Sequence, residues 1–79
     1  MTKYLKKPVE VEAIQWDGKN LDECEKFVGK LLNVSYGVIM IKNPLLALYV
    51  DKDDWIVKNA NGDLYTCKSG IFAKAYEKI

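Results

Sequence analysis

Paired acidic side chains are the first feature of this chain that could do chemistry. Glu10 and Glu12 stand two residues apart, so a strand would place both carboxylates on one face, where they could transfer protons or bind a metal ion. Asp51, Asp53 and Asp54 form a second group, but their spacing lacks the Gly and the distant Glu of a calcium-binding loop. We interpret the glutamates as a solvated strand face and the aspartates as a charged turn, in which Asp54 bonds backbone N–H groups.

Two cysteines, Cys24 and Cys67, are the potential nucleophiles. A reactive thiol needs an activating His or strongly positive surroundings, and the chain contains no His. Lys58 and Lys68 are the cations considered for Cys67, and neither is a strong candidate for a base. The absence of His also excludes Cys/His metal sites and His-based catalysis. We therefore predict no catalytic residue, no metal site and no cofactor, and reduced cysteines in a cytoplasmic protein.

The aromatic residues suggest a binding function. Trp16 and Trp55 stand at a strand end and a strand start, next to turns, with Lys side chains close by in sequence or in expected register. Aromatic faces beside Lys donors can stack a base and hold a phosphate. On this hypothesis the ligand-binding residues are Lys7, Gln15, Trp16, Trp55, Lys58, Tyr65 and Lys68. The competing interpretation is an aromatic core with a solvated fringe of Lys side chains.

The elements that must position these residues include a hairpin between Asp54 and Lys68. Two apolar-rich runs flank the pair Asn61-Gly62, which is the strongest short-range hairpin signal that a sequence can carry. A tight type I′ turn needs positive φ at both central residues, and Asn and Gly tolerate it. We therefore predict a C-terminal β-hairpin, with Asn61 and Gly62 in its turn and Asp54 at the start of its first strand.

The N-terminal part of the chain predicts one strand and one helix. Residues 9–16 alternate in polarity, which is typical of a strand, and Pro8 suits a strand start. Asn20 and Glu23 form a capping-box pattern that begins a helix ending near Leu32 or Asn33. Its apolar stripe consists of Leu21, Cys24, Phe27, Val28, Leu31 and Leu32.

The middle and the end of the chain supply further elements. Residues 34–42 predict a strand with a bulge at Gly37, and residues 45–50 predict another strand after a turn at Asn43-Pro44. The C-terminal segment is interpreted as a helical turn capped by Ser69, the alternative being a crossing into a final short strand. The predicted fold is α+β, with one helix packed on a face of a small, mostly antiparallel sheet of about five strands.

Length and composition limit what this fold can do. Seventy-nine residues make one domain, spanning 1–79, with little room for a deep enclosed active site. Twelve basic and eleven acidic residues give a net charge of +1, which argues against a dedicated nucleic-acid binder. No stretch approaches the roughly 18 apolar residues of a membrane span, and no signal-peptide pattern is present. Open edges in so small a sheet favour assembly into a homo-oligomer.

Several segments carry a resemblance to a known family. They are Lys7–Trp16 (KPVEVEAIQW), Asp54–Lys58 (DWIVK), Gly62–Lys68 (GDLYTCK), Ile71-Phe72 (IF) and Tyr76-Glu77 (YE). Together they resemble a family of small, mostly uncharacterised phage and prophage proteins, the PGDYG type, whose motifs include KPVxVEAxQW, GDWIxK and YPCKPDIF. Lys52-Asp53 stands where that family has Pro-Gly, and Thr66 and Ser69 replace two of its prolines. A turn shape that depends on Pro-Gly therefore does not transfer to this chain.

The resemblance implies a virus-encoded protein that acts in the host cytoplasm, and it implies no established activity. By analogy with other small phage proteins, the first hypothesis is a non-enzymatic binding protein, most specifically an oligomeric sponge that sequesters a nucleotide-type immune signal. The second hypothesis is a protein inhibitor or adaptor that adds an exposed sheet edge or a hairpin to a host protein. An enzyme is the third alternative, and the sequence favours it least.

Overall fold

The computed structural model describes residues 2–3, 10–29, 32–42 and 47–77. In chain order their elements are β1 (Glu12–Gln15), α1 (Leu21–Val28), β2 (Asn33–Ser35), β3 (Val38–Lys42), β4 (Ala47–Val50), β5 (Trp55–Lys58), β6 (Leu64–Cys67) and α2 (Ser69–Ala75). The strands form two antiparallel sheets, sheet A in the order β1-β5-β6 and sheet B in the order β2-β3-β4. The predicted α+β class is confirmed, whereas the single sheet of about five strands and the single helix are wrong.

The sixth strand arises from a chain reversal at Tyr36-Gly37, where we predicted a bulge in one continuous strand. Tyr36 has φ 52° and Gly37 has φ 78°, and positive φ at two successive residues reverses the chain in a two-residue turn. Ser35 and Val38 are paired on either side of the turn. The segment is therefore a β2–β3 hairpin.

Helix α1 begins after Asn20 as predicted but ends four residues earlier than Leu32. Gly29 takes the left-handed conformation (φ 75°), and its N–H donates to the carbonyl of Glu25 at 2.8 Å. Such a Gly terminates a helix, so Gly29 ends α1 inside the range that the apolar stripe predicts. The capping box does not form, because the Asn20 side chain bonds Asp17 N–H and the Gln15 carbonyl instead.

The predicted hairpin of β5 and β6 is present, but its turn is not type I′. Gly62 has φ 85°, whereas Asn61 does not have positive φ. The N–H of Gly62 donates to the carbonyl of Asn59 at 3.0 Å, and the N–H of Asn59 donates to the carbonyl of Asp63 at 3.1 Å. These bonds describe a turn followed by one left-handed Gly, a common longer hairpin loop. The Asn59 carboxamide oxygen stabilises it by accepting the N–H groups of Asn61 and Asp63, each at 3.0 Å.

The main core joins both sheets to α1. Its buried residues are Trp16, Cys24, Val28, Leu32, Ile39, Ile41, Val50 and Ile56. Because side chains alternate along a strand, Ile56 faces this core while Trp55 and Val57 lie on the opposite face of sheet A. Helix α2 covers that opposite face, and its Phe72 stacks on Trp55. The predicted helical turn is thus a complete short helix, and its N-cap is Lys68 rather than Ser69.

Some sequence predictions lie outside the described residues. They are the strand start at Val9 with Pro8, the ligand residue Lys7, the stripe residue Leu31, the turn at Asn43-Pro44 and the strand start at Leu45.

Candidate functional site

Three of the predicted ligand residues share one face of sheet A. Trp55 pairs with Gln15 on one side and with Cys67 on the other, and Tyr65 pairs with Val57 in the neighbouring row. Residues two apart on a strand point to the same side, so Gln15, Trp55 and Tyr65 lie together. We call this surface the aromatic face.

Side chains of α2 occupy the aromatic face. The Phe72 ring lies 4.1 Å from the Trp55 ring, centroid to centroid, at an interplanar angle of 8°. Tyr76 stacks on Phe72 at 4.9 Å, and its hydroxyl is 2.9 Å from the Tyr65 hydroxyl. This hydrogen bond, with a smaller contribution from burial, raises the pKa of Tyr65 to about 12. The protein's own rings therefore fill the place where a planar ligand would stack on Trp55.

Trp16 belongs to the core rather than to a surface. It is 2% exposed, and its indole Nε1–H donates to the carbonyl of Gly37 at 2.8 Å. Its backbone N–H donates to Asp54, and its carbonyl accepts the N–H of Asp53 at 2.6 Å. Trp16 therefore links β1 to the start of β5 and holds the β2–β3 turn against the core.

Lys58 lies on the core side of sheet A and caps α1. Its ammonium donates to the carbonyl of Phe27, in the last turn of the helix, and lies 4.7 Å from the centroid of the Phe27 ring. A cation is favourable at this negative end of a helix. Beside Lys58 an open groove of about 380 Å³ is bordered by Glu10, Glu12 and the Asn59 loop. The groove thus combines two carboxylates with an amine that is already engaged.

Lys68 connects the β4–β5 turn to the beginning of α2. Its Nζ lies 2.8 Å from Oδ2 of Asp51 and 2.8 Å from Oδ2 of Asp54. The same Asp54 oxygen accepts the N–H of Asp51 at 3.2 Å, and the carboxylate is largely buried. The bonds to Asp51 and Asp54 raise the pKa of Lys68 above its ordinary value. Lys68 therefore acts within the fold, and Asp54 holds the turn through the Asp51 N–H.

Neither cysteine sits in a catalytic arrangement. Cys24 is fully buried, and burial, followed by the nearby Asp17 and Glu23, raises the pKa of its thiol to about 11. A thiol in such surroundings stays protonated and unreactive at neutral pH. Cys67 is half-buried in β6 beside Trp55. Among the described residues, no three Asp, Glu or Cys side chains are grouped so that they could hold a metal ion.

Sheet B and its turn carry exposed apolar residues that sequence reasoning missed. The large apolar residues with the greatest exposure in the described chain are Val34, Tyr36, Tyr49 and Ile71, and three of these four belong to sheet B or its turn. Tyr36 is 102% exposed, so nothing in the described part of the chain covers its side chain. A Tyr-Gly pair between two β-branched runs was the available sequence signal, but Tyr is an unusual first residue for a two-residue turn.

Among the described strands, β2 is an outer strand of sheet B. Within the described residues it pairs with β3 alone, and each of its three residues is exposed. The run Asn33–Val38 contains no charged residue and no Pro. We call β2 with the adjoining Tyr36-Gly37 turn the docking edge.

Comparisons of this chain with protein-family models, with curated proteins and with solved structures find no match. In the described part of the chain, no helix has the length and apolar character needed to cross a membrane.

Proposed function

We propose that this chain is a non-enzymatic phage or prophage protein that binds a host protein in the host cytoplasm. An extended segment of the host protein pairs with the docking edge of this chain as an added strand. The observation that carries the proposal is the open, uncharged strand β2. Strand addition of this kind uses main-chain hydrogen bonds for affinity and side-chain pockets for specificity.

The backbone N–H and C=O of Val34 are oriented so that they can bond an added strand. Ser35 and Val38 close a two-residue turn, so they form a hydrogen-bonded pair in the β2–β3 ladder. Backbone groups alternate in direction along an antiparallel strand, so the N–H and C=O of Val34 point away from β3. The Val34 side chain is 42% exposed, which leaves room for an approaching strand.

The other sheet edges of the described chain differ from β2. Strand β4 lies against β6, so those two edges adjoin each other. The β1 edge carries Glu10 and Glu12, and edge charges are a common protection against unwanted strand pairing. Strand β2 has no such protection apart from its shortness. This contrast favours β2 as the binding edge.

Sequestration of a nucleotide-type signal stays a prediction with less geometric support. Trp16 is buried, and Phe72 covers Trp55, so a base could stack on Trp55 only after displacing α2. Lys58 donates to the carbonyl of Phe27, and Lys68 is paired with Asp51 and Asp54, so neither ammonium is free to hold a phosphate. Homo-oligomerisation also stays a prediction, and a second copy would compete for the same β2 edge.

A comparison of three tagged proteins in bacterial host lysate tests the proposal. The proteins are the wild type, Val34→Pro, which removes the outward N–H of the edge, and Val34→Thr, which keeps it at nearly the same size. We expect one host protein to co-purify in stoichiometric amount with the wild type and with Val34→Thr, and to be lost with Val34→Pro. Equal recovery by all three proteins, or recovery of a nucleotide and no protein, would contradict the proposal.

A further inference from the structure

Resting on the proposed function, we infer that Tyr36 is the anchor of the docking edge. Its ring packs against an apolar side chain of an uncharged, extended segment of the partner, which pairs with β2. A three-residue edge offers few main-chain hydrogen bonds, because Val34 alone among Asn33–Ser35 directs its backbone groups outward. Binding through β2 therefore requires an apolar contact beside it, and Tyr36 adjoins the strand directly.

The conformation of Tyr36 is locally unfavourable. Its φ of 52° lies in the left-handed region, which L-residues other than Gly, Asn and Asp seldom adopt. Two-residue turns of this kind favour Asn at the first central position. Since no described residue covers the side chain, packing does not compensate for the strain. Strain at an exposed residue that folding does not explain is typical of a functional position.

The turn that carries Tyr36 is held in place before any partner arrives. Trp16, which is buried, donates its indole N–H to the carbonyl of Gly37, the residue next to Tyr36. The backbone of Trp16 is itself bonded to Asp53 and Asp54. Binding therefore orders one aromatic side chain with two rotatable angles rather than a whole loop. Exposed Tyr side chains on rigid supports are common binding hot spots.

The size and charge of the surface indicate which occupant it fits. The exposed Tyr36 side chain offers roughly 200 Å², about a quarter of the roughly 800 Å² per partner in a standard interface. Tyr49 adds nothing to this area, because it lies two strands away on the face of sheet B opposite to Val34. That area is small for a stable dimer of this chain but suits a single strand from another protein. The run Asn33–Val38 is uncharged, so a charged partner segment would lose hydration without gaining a counter-charge.

Selection of random dodecapeptides displayed on yeast supplies a defined probe. Peptides enriched on the wild-type protein are synthesised, and their Kd is measured for the wild type, Tyr36→Asn, Tyr36→Phe, Val34→Pro and Val34→Thr. Asn is a favoured residue in this turn, so Tyr36→Asn removes the ring without endangering the fold. We expect uncharged, β-prone peptides that bind on the order of tenfold or more weakly to Tyr36→Asn and to Val34→Pro, and normally to Tyr36→Phe and Val34→Thr.

The variants separate failure of the anchor from failure of the proposed function. Peptides that lose binding to Val34→Pro but bind Tyr36→Asn as the wild type would overturn the anchor and leave edge binding in place. Peptides that bind Val34→Pro normally, or a selection that enriches none, would overturn both. A homodimer in solution that Val34→Pro dissociates would show that a second copy occupies the edge instead of a partner segment.

Discussion

Replacement of Tyr36 by Asn should stabilise this protein, although it removes a large aromatic side chain. Tyr36 has φ 52°, and the left-handed region costs an ordinary L-residue roughly 1–2 kcal/mol. Asn adopts this region readily, because its short polar side chain bonds the local backbone. The Tyr36 side chain is wholly exposed, so no buried contact is lost on substitution.

The expected gain in unfolding free energy follows from the relieved backbone strain, because the substitution removes no buried contact. Recovering about half of the left-handed cost gives about 0.5–1 kcal/mol of added unfolding free energy. In a domain of this size 1 kcal/mol corresponds to a change in Tm of roughly 4–8 °C. We therefore expect the Tm of Tyr36→Asn to rise by about 2–8 °C.

Thermal unfolding followed by circular dichroism, with urea unfolding as a second measurement, checks this prediction. Tyr36→Phe is the matched control and should leave the Tm unchanged, because it keeps the ring and the strain. Gly37→Ala is the opposite control. An added Cβ there meets nothing within 4 Å, so the loss of about 1 kcal/mol that we expect comes from the φ of 78°.

A Tyr36→Asn protein with the wild-type Tm, or with a lower one, would contradict this prediction. It would mean either that the Tyr36 backbone is not strained or that its side chain stabilises the fold. The functional interpretation of Tyr36 would then lose its main support.

Three further predictions concern the elements that support the two sheets. Phe72→Ala should lower stability by about 1.5–3 kcal/mol and expose Trp55, which would shift the Trp fluorescence to the red. Ile71→Ala, on the exposed side of α2, should change neither the stability nor the fluorescence, and equal effects of the two substitutions would contradict the stacking of Phe72 on Trp55. Trp16→Phe should lower stability by about 1 kcal/mol for the lost hydrogen bond, and further for the space left in the core, and should speed hydrogen exchange in the β2–β3 hairpin. Unchanged exchange there would rule out the indole bond to the turn. The pKa of Tyr65 is raised from 10.0 to about 12 in the fold, so the stability that this group contributes is complete below pH 10 and is lost as the pH rises through about 12. Urea unfolding should therefore show that Tyr65→Phe loses less stability at alkaline pH than the wild type does. An equal loss of stability in both proteins would contradict this role of Tyr65.

Local signals predicted the individual elements well. Hairpin β5–β6 follows from two apolar runs around Asn61-Gly62, because a tight loop depends on neighbouring residues. Helix α1 begins where its apolar stripe and Asn20 indicate. The errors came from Gly29 and Gly37, each of which was assigned to the interior of an element. A Gly can weaken, bulge or end an element, and its φ decides which, so sequence leaves the choice open.

The arrangement of the site was harder to predict, because it depends on contacts between distant parts of the chain. Gln15, Trp55 and Tyr65 do meet on one face, as strand pairing suggested. That Phe72 covers this face depends on where α2 docks, which no local pattern specifies. Tyr36 was missed for a different reason. Its importance lies in a backbone angle and in complete exposure, and both become visible only in three dimensions.

Amide chemical shifts of the isotope-labelled protein, recorded as the captured host protein is added, locate the surface to which that protein binds. We expect the largest changes at Val34, Tyr36 and Gly37, with Phe72 and the rest of α2 little affected, and we expect Val34→Pro to abolish them. Changes concentrated at Trp55, Tyr65 and α2, with the docking edge unaffected, would contradict binding through β2 and favour the aromatic face as the binding site.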